Sequence, residues 1–205
     1  MAKLKAIALN ATLKPSGGGP SSTDRMLDLI AVSMQELDVT TERVRLADLN
    51  IKPGVLSDEG EGDEWPGVRR KILDADILVV GTPIWMGQPS SVAKRALERM
   101  DAFLEETDKQ GRMASYGRVA AVAVVGNEDG AHHVSAELYQ ALNDVGFTIA
   151  ANAVAYWVGE AMGSTNFVDL AKVPKVVKTA VEMLARNTVH VAKLMKENPY
   201  PAETK

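Results

Sequence analysis

The chain of 205 residues contains no cysteine. A disulfide framework, a thiol nucleophile and a cysteine-ligated zinc or iron–sulfur centre are therefore all excluded. Nor does any stretch approach the roughly 20 consecutive apolar residues that a membrane-spanning helix needs. The opening Met1-Ala2-Lys3-Leu4-Lys5 leads into an alternating segment and not a continuous apolar block, which argues against a secretory signal. A cytoplasmic location with no membrane partner is the expectation. No basic excess is present: 23 Lys and Arg against 27 Asp and Glu leave a net charge of −4, so nucleic acid is not an expected partner. Internal repeats are missing, and low complexity is confined to Ser16-Gly17-Gly18-Gly19-Pro20. What is present is ordinary for a globular chain, 46% hydrophobic and 24% charged residues. The length suits one full-sized core, and a single domain over residues 1–205 is expected.

Short apolar runs alternate with amphipathic stretches. Strands are expected at residues 4–9, 39–46, 77–80, 119–125 and 147–157. Helices are expected at 22–37, 67–75, about 91–105, 132–144 and about 173–196, with Pro66 in the first turn of the second. Ile77-Leu78-Val79-Val80 and the run from Val119 to Val125 are apolar throughout, as strands covered on both faces must be. Gly81-Thr82-Pro83 reads as the stop of the third strand. Five strands alternating with helices give an α/β three-layer sandwich with a parallel sheet of order 2-1-3-4-5. The acidic run Asp58-Glu59-Gly60-Glu61-Gly62-Asp63-Glu64 lacks the rhythm of a calcium loop and reads as solvated, with Trp65 as its anchor. No metal site is expected.

In such a sheet the loops at the carboxyl ends of the strands build the site. The loop after strand one carries Asn10, Thr12, Lys14, Ser21, Ser22 and Thr23 at a helix start, short hydroxyls and a cation suited to a single phosphate monoester. The same hydroxyls would also serve as helix caps. The loop is neither a nucleoside-triphosphate loop nor Gly-x-Gly-x-x-Gly, so a dinucleotide across strand one is disfavoured. The loop after strand three, Thr82-Pro83-Ile84-Trp85-Met86-Gly87-Gln88-Pro89, puts large apolar surface where water is expected. It suits either the wall of a flat ring system or a contact with a helix or partner subunit. The loop after strand four, Gly126-Asn127-Glu128-Asp129-Gly130-Ala131-His132-His133, offers Asp129 as a cap, Gly130 for a tight approach and His132 for a polar contact. Adjacent histidines lie about 100° apart on a helix and do not chelate one metal.

Together these three loops resemble the flavodoxin-like NAD(P)H-dependent FMN reductase family and its flavin-dependent quinone-reductase relatives. The resemblance implies a flavodoxin-like fold and FMN as cofactor, with NAD(P)H as co-substrate. It implies that Asn10, Thr12, Ser21, Ser22 and Thr23 hold the FMN phosphate. Pro83, Ile84, Trp85, Met86 and Gly87 would contact the isoalloxazine, and Asn127, Asp129 and Gly130 would close over the ring edge. Hydride would pass from NAD(P)H through FMN to a small-molecule electron acceptor such as a quinone or free flavin, with no side chain obliged to act as acid or base. A homodimer or homotetramer is implied as well, and the segment from Tyr156 to Gly163 suits a partner or the pocket rim. The alternative is a flavodoxin-type electron carrier acting on a protein partner. The phosphate loop is longer and richer in glycine than compact versions in the family, and the cysteine motif of iron–sulfur flavoproteins is absent.

Overall fold

A computed structural model describes residues 3–161 and 163–201. The chain runs β1 (Lys5–Asn10), α1 (Ser22–Gln35), β2 (Thr40–Arg45), α2 (Trp65–Asp74), β3 (Ile77–Trp85) and β4 (Gln88–Pro89). It continues α3 (Ser91–Met100), β5 (Val119–Gly126), α4 (Ala131–Asp144), β6 (Thr148–Val158) and α5 (Lys175–Glu197). The five long strands pair in parallel in the order β2-β1-β3-β5-β6, which is the expected 2-1-3-4-5 arrangement, and β4 pairs only with the end of β3.

Side-chain alternation along the strands sorts the core into two layers. Ala6, Ala8, Ile77, Val79, Ala121 and Ala123 face α1 and α5, meeting Met26, Leu27, Ile30, Val181, Leu184 and Val189. Ile7, Leu9, Leu78, Val80, Val122 and Val124 face α2, α3 and α4, meeting Val68, Ile72, Ala96, Met100, Val134 and Leu138. All seven residues from Val119 to Val125 are buried, which explains their apolar run. Alanines dominate the first face, so α1 and α5 sit close to the sheet. Gly81 belongs to the same fit, because a Cβ there would lie 2.9 Å from Leu27 Cδ1.

Four local expectations are corrected. Strand three does not stop at Gly81-Thr82-Pro83: β3 runs to Trp85, because pairing with β5 continues to Pro83 opposite Val125. The chain then reverses in a two-residue hairpin, with Trp85 paired to Gln88. The helix expected at about 91–105 ends at Met100 and tightens into a 3-10 turn, Asp101–Leu104. Asp129 does not cap α4; Gly130 occupies that position at φ 125°. The acidic run is not wholly solvated, because the Asp63 side chain is 0% exposed against an equally buried Arg99, 2.8 Å away. Trp65 beside it is fully buried, as an anchor should be.

Candidate functional site

Strand order reverses between β1 and β3, so their carboxyl ends diverge into loops on opposite faces and leave a crevice between them. The β1 loop is fixed at its root. Ala11 donates its N–H to the Gly81 carbonyl at 2.8 Å, and its own carbonyl accepts from Ser90 Oγ at 2.6 Å. Ser90 is buried and also caps α3, accepting from the Ala93 N–H. Past the loop, Ser21 is the N-cap of α1, its hydroxyl oxygen accepting from the Asp24 N–H at 3.3 Å. Ser22 Oγ accepts from the Val168 N–H at 3.1 Å, tying the segment after β6 to the helix start. Arg25 reinforces that tie by donating to the carbonyls of Phe167, Val168 and Leu170. Each serine oxygen that accepts an N–H keeps its own hydrogen to donate elsewhere.

A cleft of about 150 Å³ opens above this frame. Nine expected site residues line it together: Thr12, Lys14, Ser21, Ser22, Thr23, Pro83, Ile84, Trp85 and Asn127. Hydroxyls and the lysine occupy the helix-start end, and apolar walls occupy the other. Lys14 Nζ donates to the Pro20 carbonyl at 3.1 Å and retains two further hydrogens. Asn127 Nδ2 donates to the Gly163 carbonyl at 2.9 Å, which draws the chain after β6 toward the cleft. Asn10 lies beneath the lining, buried, with its amide donating to Asp24 and its oxygen accepting from the Thr12 N–H.

Of the remaining expected residues, Met86, Gly87, Asp129 and Gly130 belong to the hairpin and the β5–α4 loop beside the cleft, and His132 does not join them. Met86 and Gly87 form the hairpin tip, both at positive φ (53° and 73°), the backbone that the right-handed strand twist requires of a two-residue hairpin. Glu128 accepts from both of their N–H groups, at 3.1 and 3.3 Å, and so fastens the tip to the β5–α4 loop. Gly130 packs directly beneath Gly87; a Cβ at Gly130 would meet Gly87 Cα at 2.9 Å. Trp85 is 51% and Met86 88% exposed, and both line an adjoining groove with α3 and α4. Asp129 is exposed. His132 lies apart, edge-on to Tyr156 at 5.4 Å between ring centres, in a separate groove with Met183.

Six lining residues fall outside the expected set: Leu13, Val125, Gly126, Trp157, Asn166 and Phe167. Trp157 packs on Phe167 at 5.5 Å between ring centres. The aromatic content of the segment from Tyr156 onward signals Trp157, whereas Asn166 and Phe167 open a one-turn 3-10 helix, Phe167–Asp169, that no motif marks. Met162, within that segment, lies outside the described residues. A larger hollow of about 540 Å³, lined by Lys3, Leu37, Asp38 and Lys193, opens at the amino ends of the strands, away from the loops.

The donor set fits FMN on its own chemistry. Hydroxyls and helix-start N–H groups suit a phosphate, while Pro83, Ile84, Trp85, Trp157 and Phe167 suit a flat ring system.

A family model described as NADPH-dependent FMN reductase matches residues 4–163. The 8-demethyl-8-aminoriboflavin-5'-phosphate synthase of Streptomyces davaonensis is 33% identical over 211 residues, covering 98% of this chain and 81% of that protein. The crystal structure of RosB with bound intermediate OHC-RP (8-demethyl-8-formylriboflavin-5'-phosphate) superposes with a TM-score of 0.87 at 31% identity. That match covers 96% of this chain and 82% of the other. A protein described as divalent metal cation transporter MntH of Mycobacterium bovis is 39% identical over 170 residues, which is 81% of this chain. The chain spans only 25% of that relative's length. Among the described residues, no helix is long and apolar enough to cross a membrane.

Proposed function

The chain belongs to the NADPH-dependent FMN reductase family and is a flavin-dependent oxidoreductase, and from that premise we propose that it draws hydride from NAD(P)H and delivers it to a small acceptor, a quinone or a free flavin. The observation that carries this reading is a single crevice in which hydroxyls at a helix start meet an aromatic wall. Bound FMN supplies the redox chemistry, accepting hydride and passing electrons on. The chain's own residues bind and orient. Thr12, Ser21, Ser22, Thr23 and Lys14 hold the phosphate, with the first N–H groups of α1. Pro83, Ile84 and Trp85 wall the ring, Met86 and Gly87 shape its rim, and Asn127, Asp129 and Gly130 close over its edge. Asn10 acts from beneath the loop, and His132 offers a polar contact farther out. Trp85 is half exposed at the mouth of the cleft, and a nicotinamide would approach from that side. The enzyme acts as a single cytoplasmic domain.

The open side also suits a second copy of the chain, completing a homodimer or homotetramer. The groove of about 1180 Å³ beside Trp85 and Met86 carries Lys94 on α3 and Glu137 and Asp144 on α4. A two-fold axis would set these opposite charges against each other. Light scattering is expected to show an oligomer, and Met86→Glu to shift it toward monomer; a monomeric wild-type protein would refute this part.

A second reading is favoured by the relative that covers nearly the whole chain: flavin monophosphate as substrate to be modified. Mass spectrometry of the flavin after turnover separates the two, since a reductase returns FMN with its ring substituents unchanged. A flavodoxin-type carrier would bind FMN yet oxidise neither NADH nor NADPH.

A further inference from the structure

Arg45 ends β2, opposite Asn10 in the register with β1, and belongs to none of the three site loops. Its guanidinium forks. Nη1 donates to the Lys14 carbonyl at 3.0 Å, and Nη2 pairs with the Asp24 carboxylate. The other Asp24 oxygen accepts from Asn10 Nδ2 at 2.5 Å, and Asn10 Oδ1 in turn accepts from the Thr12 N–H at 2.9 Å. Two arms therefore leave Arg45, and both end on residues that line the cleft, Lys14 directly and Thr12 through Asp24 and Asn10.

The charge arrangement contains a conflict. A carboxylate in the first turn, as Asp24 is, favours the α1 helix through its macrodipole. The same carboxylate opposes a phosphate held at the same helix end, because like charges at close range repel. Arg45, only 17% exposed, sits against that carboxylate and cancels its charge while fixing its direction.

We propose that Arg45 and Asp24 form a positioning pair that sets the shape and charge of the β1 loop for a phosphate monoester, and so selects FMN over riboflavin. The inference rests on the FMN reading above. Neither residue needs to touch the phosphate: the pair acts through Lys14, Asn10 and Thr12.

The test is the ratio of FMN to riboflavin affinity, measured by quenching of flavin fluorescence on the full chain. Wild-type protein is expected to prefer FMN. Arg45→Met is expected to weaken FMN binding by about tenfold or more, the scale of a lost charge-assisted contact, with a change of less than about threefold for riboflavin. Adding Asp24→Asn removes the lone carboxylate and is expected to recover part of the FMN affinity. A purely structural role would weaken both flavins equally, and that result, or an unchanged FMN affinity in folded Arg45→Met, overturns the proposal. Should circular dichroism show Arg45→Met unfolded, Arg45→Lys reads the same ratio, since it keeps the charge and loses the fork. Wild-type protein that binds neither flavin overturns the FMN reading itself and the pair's role with it.

Discussion

Asp63 shows how one side chain organises a loop from inside. Its carboxylate accepts from the N–H groups of Lys52, Glu59 and Trp65 and pairs with Arg99, which also donates to the carbonyls of Lys52 and Leu56 and stacks over Trp65. Burial alone would raise this carboxyl, but the hydrogen bonds from Arg99 and the three N–H groups hold it well below the usual carboxylate range. A carboxyl depressed in the folded state contributes stability that is full above its unfolded value, about 4, and is lost as the pH falls through the folded value. Asp63→Asn is therefore expected to cost about 3–5 kcal/mol in urea unfolding at neutral pH, because Arg99 is left buried without its counter-ion. The variant's stability is also expected to fall less than that of wild type below about pH 5. Equal acid sensitivity in the two proteins would refute the assignment. None of this is legible in the sequence, where Asp63 is one acid in a run of acids and its partner lies on a distant helix. The site hydroxyls were legible, because Ser21, Ser22 and Thr23 stand at a helix start whichever role they take.

At the scale of elements, the expected strand order emerged because apolar runs and helical periods alternate without ambiguity. The end of β3 did not, since Gly81 and Pro83 are ordinary stop signals. Ladder pairing with β5 overrides them, and Gly81 serves instead to admit Leu27 of α1. The hairpin beyond is held by a contact no local pattern reveals, the Glu128 carboxylate on the N–H groups of Met86 and Gly87. Met86 in the left-handed region stores strain of about 1–2 kcal/mol, which that contact offsets. Glu128→Ala is expected to free the tip and weaken FMN binding by about tenfold, with the melting temperature nearly unchanged because the hairpin lies at the surface. Tight FMN binding by this variant would show that the Trp85 wall does not depend on the latch. Trp157 reaches the cleft from the end of β6, paired opposite Val125, whereas Asn166 and Phe167 reach it from a short 3-10 turn whose position is set by Arg25 and Ser22 rather than by periodicity.

At the scale of the whole molecule, a parallel sheet with one switch point brings three sequence-distant loops to a single crevice, and the family match assigns that architecture to FMN chemistry. Small residues on the α1–α5 face and larger ones on the other make the two layers unequal, so α1, which follows the β1 loop, rides close on the sheet. The groove beside the hairpin leaves Trp85 and Met86 exposed at the crevice's edge, which is where a second copy would complete the wall. The most direct test is an absorption spectrum of the purified protein, loaded with FMN, desalted and then mixed with NADPH or NADH under exclusion of oxygen. Retained flavin bands near about 375 and 450 nm that bleach with a nicotinamide, and return when a quinone or free flavin is added, are the expected result. A folded protein that stays colourless, or one whose flavin neither nicotinamide bleaches, would contradict the account.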